Sequence, residues 1–263
     1  MTAAKPGTIQ LTLARFSRPE RPQWLARSAA LLSAAELERT AAITDPDTRA
    51  RHALGRALVR LLAARTAGTS LLDLEVAVTE AGKPWLPGHP DLHVNVSHTD
   101  RAVVVVTVSG APVGVDIEHP AATTVQPQRL AQRLFAGAEV QTLSELSDDR
   151  LADWFSSAWT IKEAVAKALG IGVIPALSEV VVESGDDGLR LAAVGVGPAV
   201  ESWTLHQLVA PGGSEKIAVA VPAPGVELES VSVLTLQSFA RAVERQGATE
   251  RTWSASARRR ART

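Results

Sequence analysis

The stretch PVGVDIEHP, residues 112–120, decides how the chain is read. Val113, Val115 and Ile117 alternate as the buried face of a strand requires. Residues two apart on a strand point the same way, so the Asp116 and Glu118 carboxylates project side by side from the other face. Two like charges held together repel unless a cation lies between them. Such a strand end predicts either a solvated outer face or a cation held by the two acids.

The helix that should meet this strand is LADWFSSAWTIKEAVAKALG, residues 151–170. Leu151, Trp154, Phe155, Ala158, Val165, Ala168 and Leu169 form an apolar stripe at helical spacing, and Gly170 marks a C-terminal stop. Glu163 and Lys167 stand four apart on a different face. Alone, such a pair is a solvated ion pair contributing about 0.2–0.5 kcal/mol. If the helix carries Glu163 to the strand end, three carboxylates converge into an oxygen site suited to Mg²⁺ and phosphate oxygens. Lys167, one turn on, would face the same phosphates. The residues alone leave both readings open.

Working outward, TIQLTLAR (8–15) alternates as a strand, and Ser33 with Glu36 forms a capping box. Asp45 followed by Pro46 opens a second helix, DTRARHALGRALVRLLAART (47–66). Strands are expected at 74–78, 92–98 and 102–108, then helices over 127–145 and 150–169. Strands at 179–183, 202–209 and 216–222 close the pattern. Each half runs helix, strand, then a hairpin-like pair. The expected fold class is α+β: two similar halves, residues 1–111 and 112–246. Residues 247–263 end in a basic cluster without apolar periodicity, which predicts a solvated, disordered tail.

Composition sets the frame. The 263 residues are 46% hydrophobic and 21% charged with net charge −1, enough apolar material for a sizeable core. That balance gives no reason to expect nucleic acid or a membrane as partner. Without cysteine, disulfides, thiolate zinc sites and thiol nucleophiles are excluded. The N-terminus lacks a signal-peptide core, and AVVVVTV (102–108) is too short to span a bilayer, so a cytoplasmic protein is expected. GKPWLP (82–87) lacks the rest of a phosphate loop. Ser97 and His98 in NVSH, adjacent on a strand, face opposite sides and make no catalytic triad. Taken singly, these pieces read as turn and core.

Together, GKP, NVSH, VGVDIE and WTIKEAVAKALG, in that order, resemble the 4′-phosphopantetheinyl transferases of the Sfp type, in the holo-acyl-carrier-protein synthase superfamily. DTRARHALGRALVR adds a weaker match, and the resemblance spans residues 33–222. It implies two halves about a pseudo-twofold axis, with coenzyme A and Mg²⁺ in the cleft between them. The implied metal ligands are Asp116, Glu118 and Glu163. The implied coenzyme A contacts are Arg51, Lys83, Pro84, Ser97, His98, Asp116 and Lys167. Arg51 and His98 would meet the 3′-phosphate; Lys83 and Pro84 would border the adenine nucleotide.

The implied reaction transfers phosphopantetheine from coenzyme A to a serine of an apo acyl or peptidyl carrier protein, releasing 3′,5′-ADP. Lys167 would stabilise the leaving phosphate, and Glu163 is the candidate base. A cytoplasmic monomer serving secondary metabolite biosynthesis is expected. A coenzyme-A-binding module without turnover and a metal-dependent pyrophosphate hydrolase are the alternatives. Leu134 and Phe135 stand where the family often has two aromatics, and Val173 follows Gly172 where it often has Gly-Leu. Both departures bear on the carrier-facing surface rather than on the metal or nucleotide.

Overall fold

Apolar alternation drives two sheets together, and two helices of equal length cover their outer sides. The computed structural model describes residues 7–245 apart from 72, 121–126, 173–176 and 187. The first sheet contains β1 (Thr8–Arg15), β4 (Leu92–His98), β5 (Ala102–Ser109) and β11 (Glu227–Leu234), in the order β11–β1–β5–β4. Its pairings are antiparallel except β1 with β11, which is parallel. The second sheet is antiparallel, with β6 (Gly114–Glu118), β10 (Lys216–Val221) and β9 (Thr204–Val209) in that order. Two small hairpins complete the strands: β2 (Ala77–Val78) with β3 (Pro84–Trp85), and β7 (Val180–Gly185) with β8 (Gly188–Val194).

The two inner faces share one core. Leu11, Leu13, Val104 and Val106 of the first sheet pack with Val115, Ile117, Ile217 and Val219 of the second. On the outer side of the first sheet lies α3 (Pro46–Ala67), capped by the Asp45 carboxylate accepting from the Thr48 N–H at 2.7 Å. The corresponding helix on the second sheet is α6 (Asp148–Leu169), 22 residues long like α3. Both end on a glycine in the left-handed region, Gly68 and Gly170. The remaining helices are α1 (Arg21–Ala29), α2 (Ala34–Ala42), α4 (Pro127–Leu134), α5 (Gly137–Glu145) and α7 (Leu236–Arg245).

The α+β class and most strand positions agree with the sequence reading. Strand β11 and helix α7 come late in the chain but return to elements of the first half. There β11 pairs with β1, and Phe239 of α7 packs against Trp24 of α1 in a tilted arrangement with ring centroids 5.1 Å apart. The helical segments expected over 127–145 are α4 and α5, whereas the strand expected at 74–78 shrinks to 77–78. The basic tail lies outside the described residues. Among the described residues no helix is long and apolar enough to cross a membrane.

Candidate active site

The site forms where three elements converge: β4 and β6, edge strands of their sheets, and the C-terminal half of α6. Gly114 makes that meeting possible. A Cβ there would collide with the backbone of Ala164 and Ala168, so only glycine lets α6 settle this closely on β6. The helix then runs over the face bearing Asp116 and Glu118. Asn95 ties the sheets together from the other side, its Oδ1 accepting the Val115 N–H at 3.0 Å. That bond fixes Asp116 opposite Ser97.

The carboxylate of Asp116 is buried. Its Oδ1 accepts from the Ser97 hydroxyl at 2.7 Å and from the Lys167 ammonium at 2.5 Å. Lys167 also donates to Ser97 Oγ at 3.1 Å and lies 3.3 Å from Glu163 Oε2. The other oxygen of Glu163 accepts from the Trp159 indole N–H at 2.8 Å. Asp116 Oδ2, by contrast, is buried with no hydrogen-bond partner. Unpaired buried carboxylate oxygens are costly and normally filled.

Charge here is out of balance. Burial, aided by the charges of Asp116 and Glu163, raises the Glu118 pKa to about 7. Burial and the Asp116 charge also raise Glu163, against the pull of Lys167. For Lys167, burial alone would lower the ammonium, but Asp116 and Glu163 more than offset it and hold it above the ordinary lysine range. Asp116 and Glu163 share the Lys167 ammonium, and the Glu118 carboxylate stands beside them.

First-half residues reach the same place from α3 and the β2–β3 turn. The Arg51 guanidinium donates to Thr48 Oγ1 at 3.0 Å, while its Nε is buried without a partner. His98, at the exposed end of β4, is held below the usual histidine range by desolvation and by the Arg51 charge, with a further contribution from Lys167. Lys83 reaches the end of α6. Its ammonium donates to the backbone carbonyls of Lys167 (2.6 Å) and Ala168 (2.9 Å). Lys83 and its neighbour Pro84 line a cavity of about 230 Å³ with Asn95, Lys167 and Gly170.

Four supporting residues escaped the sequence reading: Asn95, Gly114, Trp159 and Lys162. Lys162 is fully buried and bonds Glu139 Oε2 at 2.8 Å, the Leu177 carbonyl at 2.7 Å and the Val180 carbonyl. Its position was legible: four residues after Ala158 and three before Val165, it falls within the apolar stripe.

Asp116, Glu118 and Glu163 carry hard oxygen donors of the kind that could hold Mg²⁺, and Asp116 Oδ2 has no hydrogen-bond partner. Among the described residues no three acidic or histidine side chains stand gathered around a metal position; the Lys167 ammonium lies against two of the acids instead. The donor set fits the ion, and the local excess of negative charge favours it.

Comparison with known proteins supplies the last observation. Residues 112–221 match the family model described as the 4′-phosphopantetheinyl transferase superfamily. A 4′-phosphopantetheinyl transferase of Bacillus subtilis is 32% identical over 162 residues, covering 62% of this chain and 70% of that one. The transferase HetI of Nostoc is 30% identical over 196 residues, covering 73% and 79%. A holo-(acyl-carrier-protein) synthase structure from Bacillus anthracis, 19% identical, overlaps 42% of this chain and 94% of its own with a TM-score of 0.34, too loose to add to the sequence matches. The chain belongs to the 4′-phosphopantetheinyl transferase superfamily.

Proposed function

We propose that this enzyme transfers 4′-phosphopantetheine from coenzyme A to the serine hydroxyl of an apo carrier protein and releases 3′,5′-ADP. One observation carries the reading. A buried aspartate with one oxygen unpaired stands beside two further acids and a lysine, at the junction of β4, β6 and α6. Phosphoryl transfer is mostly positioning and charge neutralisation, and this arrangement supplies both.

Mg²⁺ held by Asp116, Glu118 and Glu163 would supply Lewis-acid polarisation of the pyrophosphate oxygens. The chain's own residues do the rest. Arg51 and His98 bind the 3′-phosphate through charge-assisted bonds. Pro84, beside the 230 Å³ cavity, borders the adenine nucleotide. Ser97 donates to Asp116 Oδ1 and accepts from Lys167, which holds those two charged groups in register beside the pyrophosphate. Lys167 donates to the oxygen on which charge develops as the bridging P–O bond breaks.

The carrier serine oxygen bonds to the pantetheine-side phosphorus, and its proton goes to Glu163 at Oε2, the oxygen that Trp159 does not hold. The expected partners are acyl or peptidyl carrier domains, met by a monomer in the cytoplasm.

Intact-mass spectrometry of an apo-carrier incubated with the protein, coenzyme A and Mg²⁺ tests the proposal. Gain of one phosphopantetheine with release of 3′,5′-ADP is expected, and chelation should stop it. Equal ADP release without any carrier would identify a hydrolase instead. Coenzyme A binding with no modification across fatty-acid, polyketide and peptidyl carriers would identify an inactive binding module.

A further inference from the structure

Helix α6 ends where the chemistry begins, and its last carbonyls need donors that the helix itself cannot provide. Gly170 turns the chain away, and the amides of Gly170 and Ile171 both return to the Ala166 carbonyl. The Lys167 and Ala168 carbonyls are met by one ammonium, that of Lys83, at 2.6 and 2.9 Å. Lys83 belongs to the turn between β2 and β3, in the other half of the molecule, 84 residues before Lys167. A cation at a helix C-terminus is also favoured by the helix dipole. With two of its protons committed to these carbonyls, Lys83 has little left to offer a phosphate.

We infer that Lys83 is a positioning residue: it clamps the C-terminus of α6 to the first half and thereby aims the Lys167 ammonium at Asp116 and the pyrophosphate. The inference rests on the transferase reading for its kinetic consequence, but not for its structural one. Lys167 reaches Asp116 Oδ1 at 2.5 Å only while its own backbone stays against β4 and β6. The bonds from Lys83 grip that same residue's carbonyl. A small shift of the helix end would move the ammonium off the reacting atoms, and misplacement by about 1 Å costs on the order of a hundredfold in rate at worst.

The test compares the full chain with its Lys83→Met variant in two measurements. Amide hydrogen exchange without substrates should show residues 167–172 exchanging about tenfold faster or more in the variant, because the helix end frays locally. Steady-state transfer with coenzyme A, Mg²⁺ and an apo-carrier should show kcat lowered by about tenfold and KM for coenzyme A changed by less than about twofold. If Lys83→Met does not fold, Lys83→Gln, whose amide can still donate to one carbonyl, takes its place with the same readouts.

Unchanged exchange at the helix end, with KM for coenzyme A raised and kcat preserved, would overturn the inference and make Lys83 a nucleotide ligand. Unchanged exchange and unchanged kinetics would overturn it equally. Failure of the wild-type chain to modify any carrier would count against the transferase reading alone, and the exchange measurement would still decide the clamp.

Discussion

Two lysines on one helix, five residues apart, each pair with a buried carboxylate, and their surroundings differ in kind. Around Lys162 everything is satisfied. Its ammonium has three acceptors, and Glu139 uses both oxygens, Oε1 on the Val182 N–H and Oε2 on Lys162 and the Ala136 N–H. The Phe135 ring lies 4.4 Å from the charge, and burial lowers the lysine pKa. Around Lys167 the acids outnumber the cation, Asp116 Oδ2 has no partner, and the lysine pKa is raised. A closed pair holds α6, α5 and β7 together; the open one is where we propose that a ligand binds. Satisfaction of hydrogen bonds, more than burial, separates the structural ion pair from the chemical one.

Removing one partner of the closed pair should do the most damage. Lys162→Met leaves Glu139 buried and charged, and breaking a buried pair in this way costs about 3–5 kcal/mol of stability. Chemical denaturation should show that loss, while whatever protein remains folded keeps its coenzyme A affinity. A change in affinity with stability intact would erase the distinction between the two lysines. Lys167→Ala should shift the balance, with transfer slowed by roughly a hundredfold (about 3 kcal/mol) and, at saturating Mg²⁺, a smaller loss of stability than in Lys162→Met. Comparable melting losses in both variants would contradict it.

Glu118 sharpens the contrast through pH. Its folded pKa, about 7, stands above its ordinary value of 4.5, so the folded state binds the proton more tightly. That contribution to stability is complete below about pH 4.5 and is lost as pH rises through about 7. Without divalent cation, wild type should therefore lose about 1–2 kcal/mol relative to Glu118→Gln between acid and mildly alkaline solution. Thermal melts across that range check it, and parallel pH curves would refute the crowding of the acids. The smallest expected effect is at the rim: Arg51→Ala should weaken coenzyme A binding by about tenfold and dephospho-coenzyme A much less. Calorimetry showing an equal loss for both ligands would move the 3′-phosphate contact away from Arg51.

Much of this was legible in the chain, for physical reasons that also mark where legibility ends. Helix α3 announces itself through Asp45, Pro46 and Gly68, and α2 through the reciprocal bonds of Ser33 and Glu36, observed at 3.0 and 3.3 Å. Asp116 and Glu118 could be placed on one face because strand periodicity is strict. That Lys167 would reach Asp116 rather than solvent was not locally encoded; it depends on Gly114 admitting the helix, a contact between residues 50 apart. Strand β11 was missed because its partner, β1, lies more than 200 residues away and its side chains are largely exposed. Lys162 was passed over because a lysine beside a glutamate suggests a solvated face, although its helical position lay on the buried stripe.

The most direct measurement takes Asp116→Ala through transfer and melting in parallel. If Asp116 serves chemistry, transfer to an apo-carrier should vanish at saturating coenzyme A and Mg²⁺. The metal-free melting temperature should meanwhile hold or rise, since one of three crowded acids is gone. Transfer at the wild-type rate, or collapse of the fold to the extent expected for Lys162→Met, would contradict the account.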